Sequence, residues 1–293
     1  MRKNTWQIWS GWLFALPWLI QFVFFIIVPF VASFYLSLTN YRFRGAPKVI
    51  GWDNYVELFT DDPLFWKSVL NTVYYTIVHV PGQIVIAFLI ALLLNQNVRG
   101  IALWRTLFYL PSITAGVATA MLWIVILQPN GLLNQFLGLF GIPGPRWLTS
   151  TTWAMQGLIL MSFWTVGTTM ILYLAGLQGI PKHLYEAAEI DGAGPFRRVW
   201  HVTIPMMTPT IFLTVVLGII GSFQVFTAAL IVTSGGPANS TLFVLLYLYR
   251  KAFLIFQMGY ASAIAWVLFV IILLFTLVQF AAARRWVHYE YED

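Results

Sequence analysis

Residues 186–205 read EAAEIDGAGPFRRVWHVTIP, a polar and charged segment that lies between two long apolar runs. Residues 184–190 favour a short helix, and Gly192 permits the sharp turn after it, because glycine adopts backbone conformations that other residues resist. A second amphipathic piece carries two adjacent arginines, and Pro205 is predicted to end it, because proline removes a backbone donor. The pattern therefore predicts a rigid helix–turn–helix at a membrane face, a shape suited to contact with a soluble partner.

The composition around this segment is that of an integral membrane protein. The mean hydropathy is +0.79, and 60% of the 293 residues are hydrophobic while only 9% are charged, too few to cover a soluble surface. The net charge of +6 does not indicate nucleic-acid binding, because the basic residues flank apolar runs instead of forming a stripe. The chain has no cysteine, which excludes disulfides, thiolate metal sites and thiol catalysis.

Six apolar runs are each long enough to cross a bilayer, which takes about 20 helical residues. They fall near 12–36, 69–94, 105–127, 153–175, 209–232 and 261–283. Each run is apolar around most of a helix, which predicts an all-α polytopic membrane bundle, with residues 1–293 as a single transmembrane domain. The first run exceeds the roughly 7–15-residue core of a signal peptide, so we expect it to be a retained span.

A further apolar segment, residues 241–257, is short and is interrupted by Arg250 and Lys251. We expect it to form an external helix at the membrane interface and not a seventh span. With the N-terminus in the cytosol, nine of the 16 lysines and arginines fall on the inner side. This count favours that orientation only slightly.

The 186–205 segment closely resembles the EAA loop of importer-type ABC transporter permeases. In both, Glu-Ala-Ala is followed by three residues, a glycine, nine residues, and an aliphatic-x-aliphatic-Pro sequence. The family usually has Ile and Leu where this chain has Val202 and Ile204, a conservative departure. An ordinary loop between two helices is the alternative, and the full spacing match disfavours it.

The chain also resembles the carbohydrate-import branch of these permeases over nearly its whole length. The matching landmarks, in chain order, are residues 51–55, 71–72, 110–111, 123, 130–134, 175–181, 235–237, 240–241 and 259–263. The resemblance implies the MetI-like permease fold with a cytosolic coupling helix in the loop 176–208. It implies a multi-pass protein of a bacterial or archaeal plasma membrane, embedded in lipid, with both termini cytosolic.

The same resemblance implies the partners of the chain. They are a second permease subunit in a heterodimer, two copies of a cytosolic ATPase that uses ATP and Mg²⁺, and an extracytoplasmic binding protein that delivers a sugar. The chain has no nucleotide-binding loop of its own, because none of its lysines follows a glycine. Its four histidines show no metal-ligand spacing. We therefore expect a non-catalytic subunit without a bound cofactor.

The coupling residues are predicted from the family's loop. Glu186 corresponds to the glutamate that pairs with an arginine of the ATPase, a charge-assisted contact. Ala187 and Ala188 let the helix sit close in a groove, and Gly192 permits the turn. Asp191 either caps the second helix or is a solvent-exposed acid, and the sequence leaves both interpretations open.

The substrate residues are predicted from polar positions inside the spans, because sugars are bound by aromatic faces and by hydroxyl and amide hydrogen bonds. When residues are counted back from the turns at 180–181 and 235–237, some positions match those that line the sugar site of maltose-type permeases. These matching candidates are Trp164, Thr165, Thr168, Gly218 and Ser222, and Gln224 and Thr119 are added as polar residues of the fifth and third spans. Small polar residues also mediate helix packing in membranes, so both roles stay open for each position.

The sequence as a whole predicts the transmembrane subunit of an ATP-driven sugar importer. It would form half of the translocation pathway and transmit ATPase motion through the EAA loop by alternating access. An ABC permease for another small polar solute, such as a phosphate ester, is an alternative that calls for Arg or Lys inside the bundle. A secondary transporter is another alternative. However, His79 is the only His, Asp or Glu inside the predicted spans. Beside Pro81, it is expected to be a hydrogen-bonded packing residue instead of a proton relay.

Overall fold

The computed structural model describes residues 5–43, 45–96 and 99–288, with side chains from Trp12 onward. The two chain ends, which the sequence predicts to be cytosolic, lie outside these residues. The α-helices within them are α1 (Thr5–Phe22), α2 (Val28–Ser37), α3 (Asp53–Thr60), α4 (Pro63–Leu94), α5 (Ile101–Ile113), α6 (Gly116–Ile126), α7 (Leu132–Leu139), α8 (Ala154–Ser162), α9 (Gly167–Gly179), α10 (Lys182–Ile190), α11 (Pro195–Arg198), α12 (Ile204–Phe223), α13 (Val244–Tyr249) and α14 (Met258–Ala283). The described ranges contain no β-sheet, only an isolated antiparallel bridge between Thr39 and Val49.

Four short segments are π-helical: Val23–Ile27, Val199–Thr203, Ala229–Thr233 and Arg250–Leu254. Two of them end two residues before a proline, at Pro29 and Pro205. In the second, the N–H of Ile204 donates to the carbonyl of Val199, five residues back. The wider turn accommodates a proline that lacks an N–H and would clash with the preceding turn of a regular helix. Pro205 therefore does not end the helix as predicted, and the chain stays helical from Pro195 to Phe223.

The chain divides into two compact units, one of Met1–Asp62 with Leu248–Val267 and the other of Pro63–Tyr247 with Leu268–Asp293. In the first unit, the candidate span Trp12–Ser37 has no buried residue in its most apolar window. Asn54, at the start of α3, donates from Nδ2 to the carbonyls of Ser37 and Thr39, at 2.7 and 2.9 Å. This buried amide ties α3 to the end of α2, which gives a physical reason for the landmark at 51–55.

The core of the second unit is formed where α4, α9 and α12 pack together. Met170, Tyr173 and Met207 are fully buried there, and the hydroxyls of Tyr173 and Thr214 lie 2.6 Å apart across the α9–α12 contact. A Cβ on Gly176 would overlap the sulfur of Met207. The small residue therefore lets α9 and α12 approach closely, as small residues do in membrane helix pairs.

Within the described ranges, four helices are long and apolar enough to cross a membrane: Trp12–Ser37, Pro63–Leu94, Pro195–Phe223 and Met258–Ala283. Two bent pairs raise the number to six if each pair is one span, α5 with α6 (99°) and Ala154–Thr165 with α9 (46°). This agrees with six predicted spans, but the run 105–127 is not one straight helix. It breaks where Thr114 and Ala115 adopt extended ψ angles of 139° and 129°, just after Pro111.

One further boundary differs from the prediction, while the expectation that residues 241–257 do not form a seventh span agrees with the structure. The run 209–232 was expected to be one span, whereas its helix begins at Pro195, ends at Phe223 and is followed by a separate π-helical turn. The segment 241–257 contains α13 and the π-turn Arg250–Leu254. Among the described residues it is not a candidate span.

Candidate functional site

The second unit contains a cavity of about 390 Å³ between α4, α5, α9 and α12. Its lining is uncharged and mixes hydroxyl-bearing, amide and aliphatic side chains. The lining residues are His79, Val80, Gln83, Ile84, Ser112, Thr165, Thr168, Thr169, Leu172, Thr214, Leu217, Gly218, Gly221, Ser222 and Val225. Four candidates from the sequence, Thr165, Thr168, Gly218 and Ser222, thus meet in one place although they come from two separate spans.

The other three substrate candidates lie elsewhere. The Trp164 side chain is 45% exposed, and its ring packs edge-on against Trp123 with centroids 6.0 Å apart. Thr119 is buried, and its Oγ1 has no hydrogen-bond partner in the described part of the chain. Gln224 is an exposed residue at the C-terminal cap of α12. None of the three lines the cavity.

Most hydroxyl protons at the cavity are already used inside the protein. Thr165 Oγ1 donates to the Ser162 carbonyl at 3.1 Å, and Ser112 Oγ donates to the Thr165 carbonyl at 3.1 Å. In α12, Ser222 and Thr214 donate to carbonyls of their own helix at 2.9 and 2.8 Å. A hydroxyl whose proton is engaged keeps its acceptor lone pairs. The wall is therefore rich in acceptors and suits a ligand that brings many O–H donors.

Five polar lining residues were not among the predicted substrate candidates: His79, Gln83, Ser112, Thr169 and Thr214. His79 and Gln83 are one helical turn apart on α4, and that i, i+4 spacing within an apolar span was an available signal. Gln83 Nε2 donates to Thr169 Oγ1 at 3.3 Å, which links α4 to α9 across the cavity wall. The prediction that His79 is hydrogen-bonded is confirmed, since its Nδ1 lies 2.7 Å from Ser162 Oγ.

Two glycines set how closely the helices around the cavity approach. A Cβ at Gly167 would overlap the carbonyl oxygen of Phe108, so α9 can lie directly on α5 only with glycine there. A Cβ at Gly218 would lie 3.2 Å from a methyl group of Val80. Gly218 therefore both lines the cavity and fixes the α4–α12 separation.

The 186–205 segment forms the expected helix–turn–helix in the same unit. The N–H of Gly192 donates to the Glu189 carbonyl at 3.0 Å, and the N–H of Ala193 donates to the Ala188 carbonyl at 2.8 Å, closing the end of α10. Gly192 has a φ of +75°, the left-handed region that favours glycine. Behind the turn, the hydroxyls of Tyr185 and Thr203 lie 3.1 Å apart.

The predicted coupling residues lie on the outer face of this loop. Glu186, Ala187, Asp191 and Gly192 are exposed, and Ala188 is half-buried. Asp191 is the C-terminal cap residue of α10. The next helix has Gly194 at its N-cap without a side-chain hydrogen bond, so Asp191 does not cap it and the interpretation as an exposed acid holds.

Large apolar side chains are exposed on the same loop, namely Ile190 (88%), Phe196 (84%) and Trp200 (65%). Phe196 and Trp200 also line an apolar groove of about 590 Å³ against the last turns of α4. Exposed apolar groups clustered in this way are typical of a surface that another molecule or a lipid covers. Arg198 and Glu189 form an ion pair across this loop, at 3.2 Å.

Comparison with known proteins gives a consistent result over nearly the whole chain. The model of the family described as "Binding-protein-dependent transport system inner membrane component" matches residues 63–288. A probable ABC transporter permease protein, YesP of Bacillus subtilis, is 43% identical over 97% of this chain and 93% of its own length. The lactose transport system permease protein LacF of Rhizobium radiobacter is 37% identical over 94% of each chain.

A solved structure shares the fold. It is the crystal structure of a bacterial ABC transporter involved in the import of the acidic polysaccharide alginate. One chain of it matches 97% of this chain over 99% of its own length, with a TM-score of 0.84 and 24% identity. This likeness confirms the predicted all-α, importer-type permease fold.

Proposed function

The chain belongs to the family of binding-protein-dependent transport system inner membrane components, and we propose that it is the permease subunit of an ATP-driven sugar importer. As a member of this family it is a membrane-embedded, non-catalytic transport component. The observation that carries the sugar assignment is the uncharged, acceptor-rich cavity between α4, α9 and α12. A sugar presents many hydroxyl donors, and such a wall can accept them without burying a charge.

The relatives support this assignment. LacF is named for lactose transport and is 37% identical to the chain, whereas the alginate importer, at 24% identity, supports the fold alone. In the proposed mechanism, residues of α4, α9 and α12 form one half of the pathway, and a second permease subunit supplies the other half. An extracytoplasmic binding protein delivers the sugar to this pathway.

Coupling is proposed to run through the 182–205 loop. The exposed Glu186 would pair with an arginine of a cytosolic ATPase, and two ATPase copies would bind ATP and Mg²⁺. Phe196 and Trp200 add exposed apolar area beside it, which fits a surface covered in the assembly. Closure of the ATPases would move the loop and switch the cavity between inward-facing and outward-facing states. This places the loop in the cytosol and the chain in the inner membrane of a prokaryotic cell.

The two alternatives fit the cavity less well. A permease for a phosphate ester would need arginine or lysine at the ligand, and none of the described lining residues is an arginine or a lysine. A proton-coupled secondary transporter would need a carboxylate or a protonatable chain of residues. His79 is the only titratable side chain among the described lining residues, and its Nδ1 is engaged by Ser162.

The proposal is tested on the complex purified in mild detergent from its host and reconstituted into proteoliposomes. We expect an ATPase and a second permease to co-purify, and ATP-dependent uptake of at least one of lactose, maltose or trehalose when the binding protein is present. ATP-independent uptake by the chain alone would overturn the proposal. Uptake of a sugar phosphate in preference to every neutral sugar would overturn the sugar assignment.

A further inference from the structure

His79 is a half-buried polar side chain at the cavity that the proposed coupling mechanism does not use. It lies midway along α4, and its ring is held between two others. The ring centroid of Tyr75 lies 5.0 Å away at an interplanar angle of 19°, and that of Phe163 lies 6.0 Å away at 17°. These two stacked neighbours fix the plane of the imidazole and leave only its edges for hydrogen bonding.

Ser162 decides which ring nitrogen carries the proton. Its Oγ lies 2.6 Å from the carbonyl of Ile159 and 2.7 Å from His79 Nδ1. A carbonyl can only accept, so the single hydroxyl proton of Ser162 is directed to Ile159, and Ser162 must accept from His79. Nδ1 therefore carries a hydrogen, and in the neutral imidazole Nε2 is left as an acceptor.

The Nδ1 edge of the ring is used inside the protein, while the residue itself lines the cavity. His79 lines the cavity whereas Ser162 does not, so the Nδ1 edge is turned toward the protein and the opposite edge belongs to the cavity wall. Gln83, one turn along α4, donates from Nε2 to Thr169 Oγ1, and its side chain also interacts with the His79 ring. Among the described lining residues, His79 is also the only one with a ring, since Trp164 lies outside the cavity.

We propose that His79 is a specificity-determining residue of the cavity, whose Nε2 accepts a hydrogen bond from one hydroxyl of the transported carbohydrate, and that Ser162 positions it by fixing the Nδ1–H tautomer. The inference rests on the proposed function and names the residue that reads the substrate. Most hydroxyl groups in the wall accept with an oxygen whose proton is engaged inside the protein, and an imidazole ring stacked on two aromatic neighbours adds one ring acceptor in one direction. Such a fixed acceptor discriminates strongly against a ligand that lacks the matching donor.

The tautomer is tested first, because that measurement needs no knowledge of the substrate. The complex is labelled with ¹⁵N-histidine, and His79 is identified by its contacts with the rings of Tyr75 and Phe163 in solid-state NMR. We expect a protonated Nδ1 and an unprotonated Nε2, and a mixture of tautomers in Ser162→Ala. A ring protonated at Nε2, or at both nitrogens, in the wild-type complex would overturn the inference.

The recognition step is tested with two variants that each keep one edge of the ring. The amide of Asn can occupy the Nδ1 position and the amide of Gln the Nε2 position, so H79N keeps the contact to Ser162 and H79Q keeps the acceptor at the cavity. With whichever of lactose, maltose or trehalose the wild-type complex transports, we expect KM to rise about tenfold in H79N, the loss of one hydrogen bond. In H79Q we expect a rise of less than about threefold.

Monodeoxy analogues of the same sugar complete the test as a double-mutant cycle. With the wild type, one analogue should have a KM about tenfold above that of the parent sugar. With H79N, that analogue and the parent sugar should have the same KM. Equal KM values for H79N and H79Q would overturn the inference and leave the sugar assignment intact. The same conclusion would follow if, for every analogue, the effects on KM of the missing hydroxyl and of H79N simply multiplied. Absence of neutral-sugar uptake by the wild type would instead count against the proposed function, with the tautomer result standing separately.

Discussion

The cavity and the 182–205 loop are both polar interruptions of an apolar chain, but their polar groups are used in opposite ways. At the cavity, hydroxyl protons of Thr165, Ser112 and Ser222 are bonded within the bundle. On the loop, Glu186 and Asp191 are exposed beside Phe196, which is 84% exposed. A site whose groups are satisfied internally presents fixed acceptors to a small ligand, and a surface that leaves charges and aromatic rings outside is built for a macromolecular partner.

The difference predicts separable defects. Substitutions at the cavity should change the sugar concentration needed for transport without changing assembly of the complex. Substitutions on the loop should change assembly or sugar-stimulated ATPase activity without changing which sugar is preferred.

The largest effect is expected for Gly192→Val in the loop. At φ +75° a β-branched residue is strained, so the turn after α10 should not form, and transport should fall more than about tenfold. The strain expected for such a residue is of order 1–3 kcal/mol. Gly192→Asn is the matched control, because Asn tolerates the left-handed region, and it should keep most transport. Both are measured as sugar uptake and as ATPase recovered with the chain, and equal behaviour of the two variants would show that the turn is not the transmission element.

The next effect is expected for Glu186→Ala. Removing a charge-assisted contact to the ATPase should lower complex yield or sugar-stimulated ATPase activity by roughly tenfold, with membrane insertion unchanged. Glu189→Ala on the same helix is the control, since its carboxylate pairs with Arg198 of the chain itself at 3.2 Å and an exposed pair of this kind contributes little. A greater loss for Glu189→Ala than for Glu186→Ala would place the contact elsewhere on α10.

How far the sequence could predict these two regions differs for a physical reason. The loop is a local structure, so spacing along the chain places Gly192 at the turn, and the helix–turn–helix follows. The prediction that Pro205 ends a helix is wrong, because the π-helical turn Val199–Thr203 accommodates the proline within a continuous helix. That accommodation depends on hydrogen bonds one residue out of the usual register, which composition does not show.

The cavity joins helices that are distant in sequence, so spacing could predict it only in part. Thr165, Thr168, Gly218 and Ser222 were found through family positions, but the side of the helix on which Trp164 lies depends on the 3₁₀ turn Phe163–Thr165. That turn rotates the chain between α8 and α9 and places Trp164 against Trp123. The break between α5 and α6 was likewise hidden in an unbroken apolar run, because extended backbone at Thr114 and Ala115 needs no polar residue.

Thr168→Val tests whether the cavity is the pathway. Thr168 lines the cavity, and valine replaces its hydroxyl with a methyl group of similar size, so KM for the transported disaccharide should rise about threefold to tenfold with the ATPase still bound. Thr168→Ser keeps the hydroxyl and should stay near wild type. Trp164→Phe, outside the cavity, should change KM less than Thr168→Val does. If Trp164→Phe has the larger effect on KM, the sugar path runs along Trp123 and Trp164 instead.

The smallest effect is expected for Gly218→Ala, where lining and packing meet. The added methyl would lie 3.2 Å from Val80 Cγ1, closer than an ordinary contact, so α4 and α12 must separate by a few tenths of an ångström. We expect a twofold to threefold rise in KM, consistent with a small overpacking cost on the order of 1 kcal/mol. Val80→Ala combined with Gly218→Ala restores the room on the other helix, so the double variant should recover part of the loss. Recovery would show that Gly218 acts by setting the helix separation. An additive rise in KM would show instead that the added methyl group obstructs the sugar itself. In both cases the yield of ATPase with the chain should stay unchanged, because the loop is not altered.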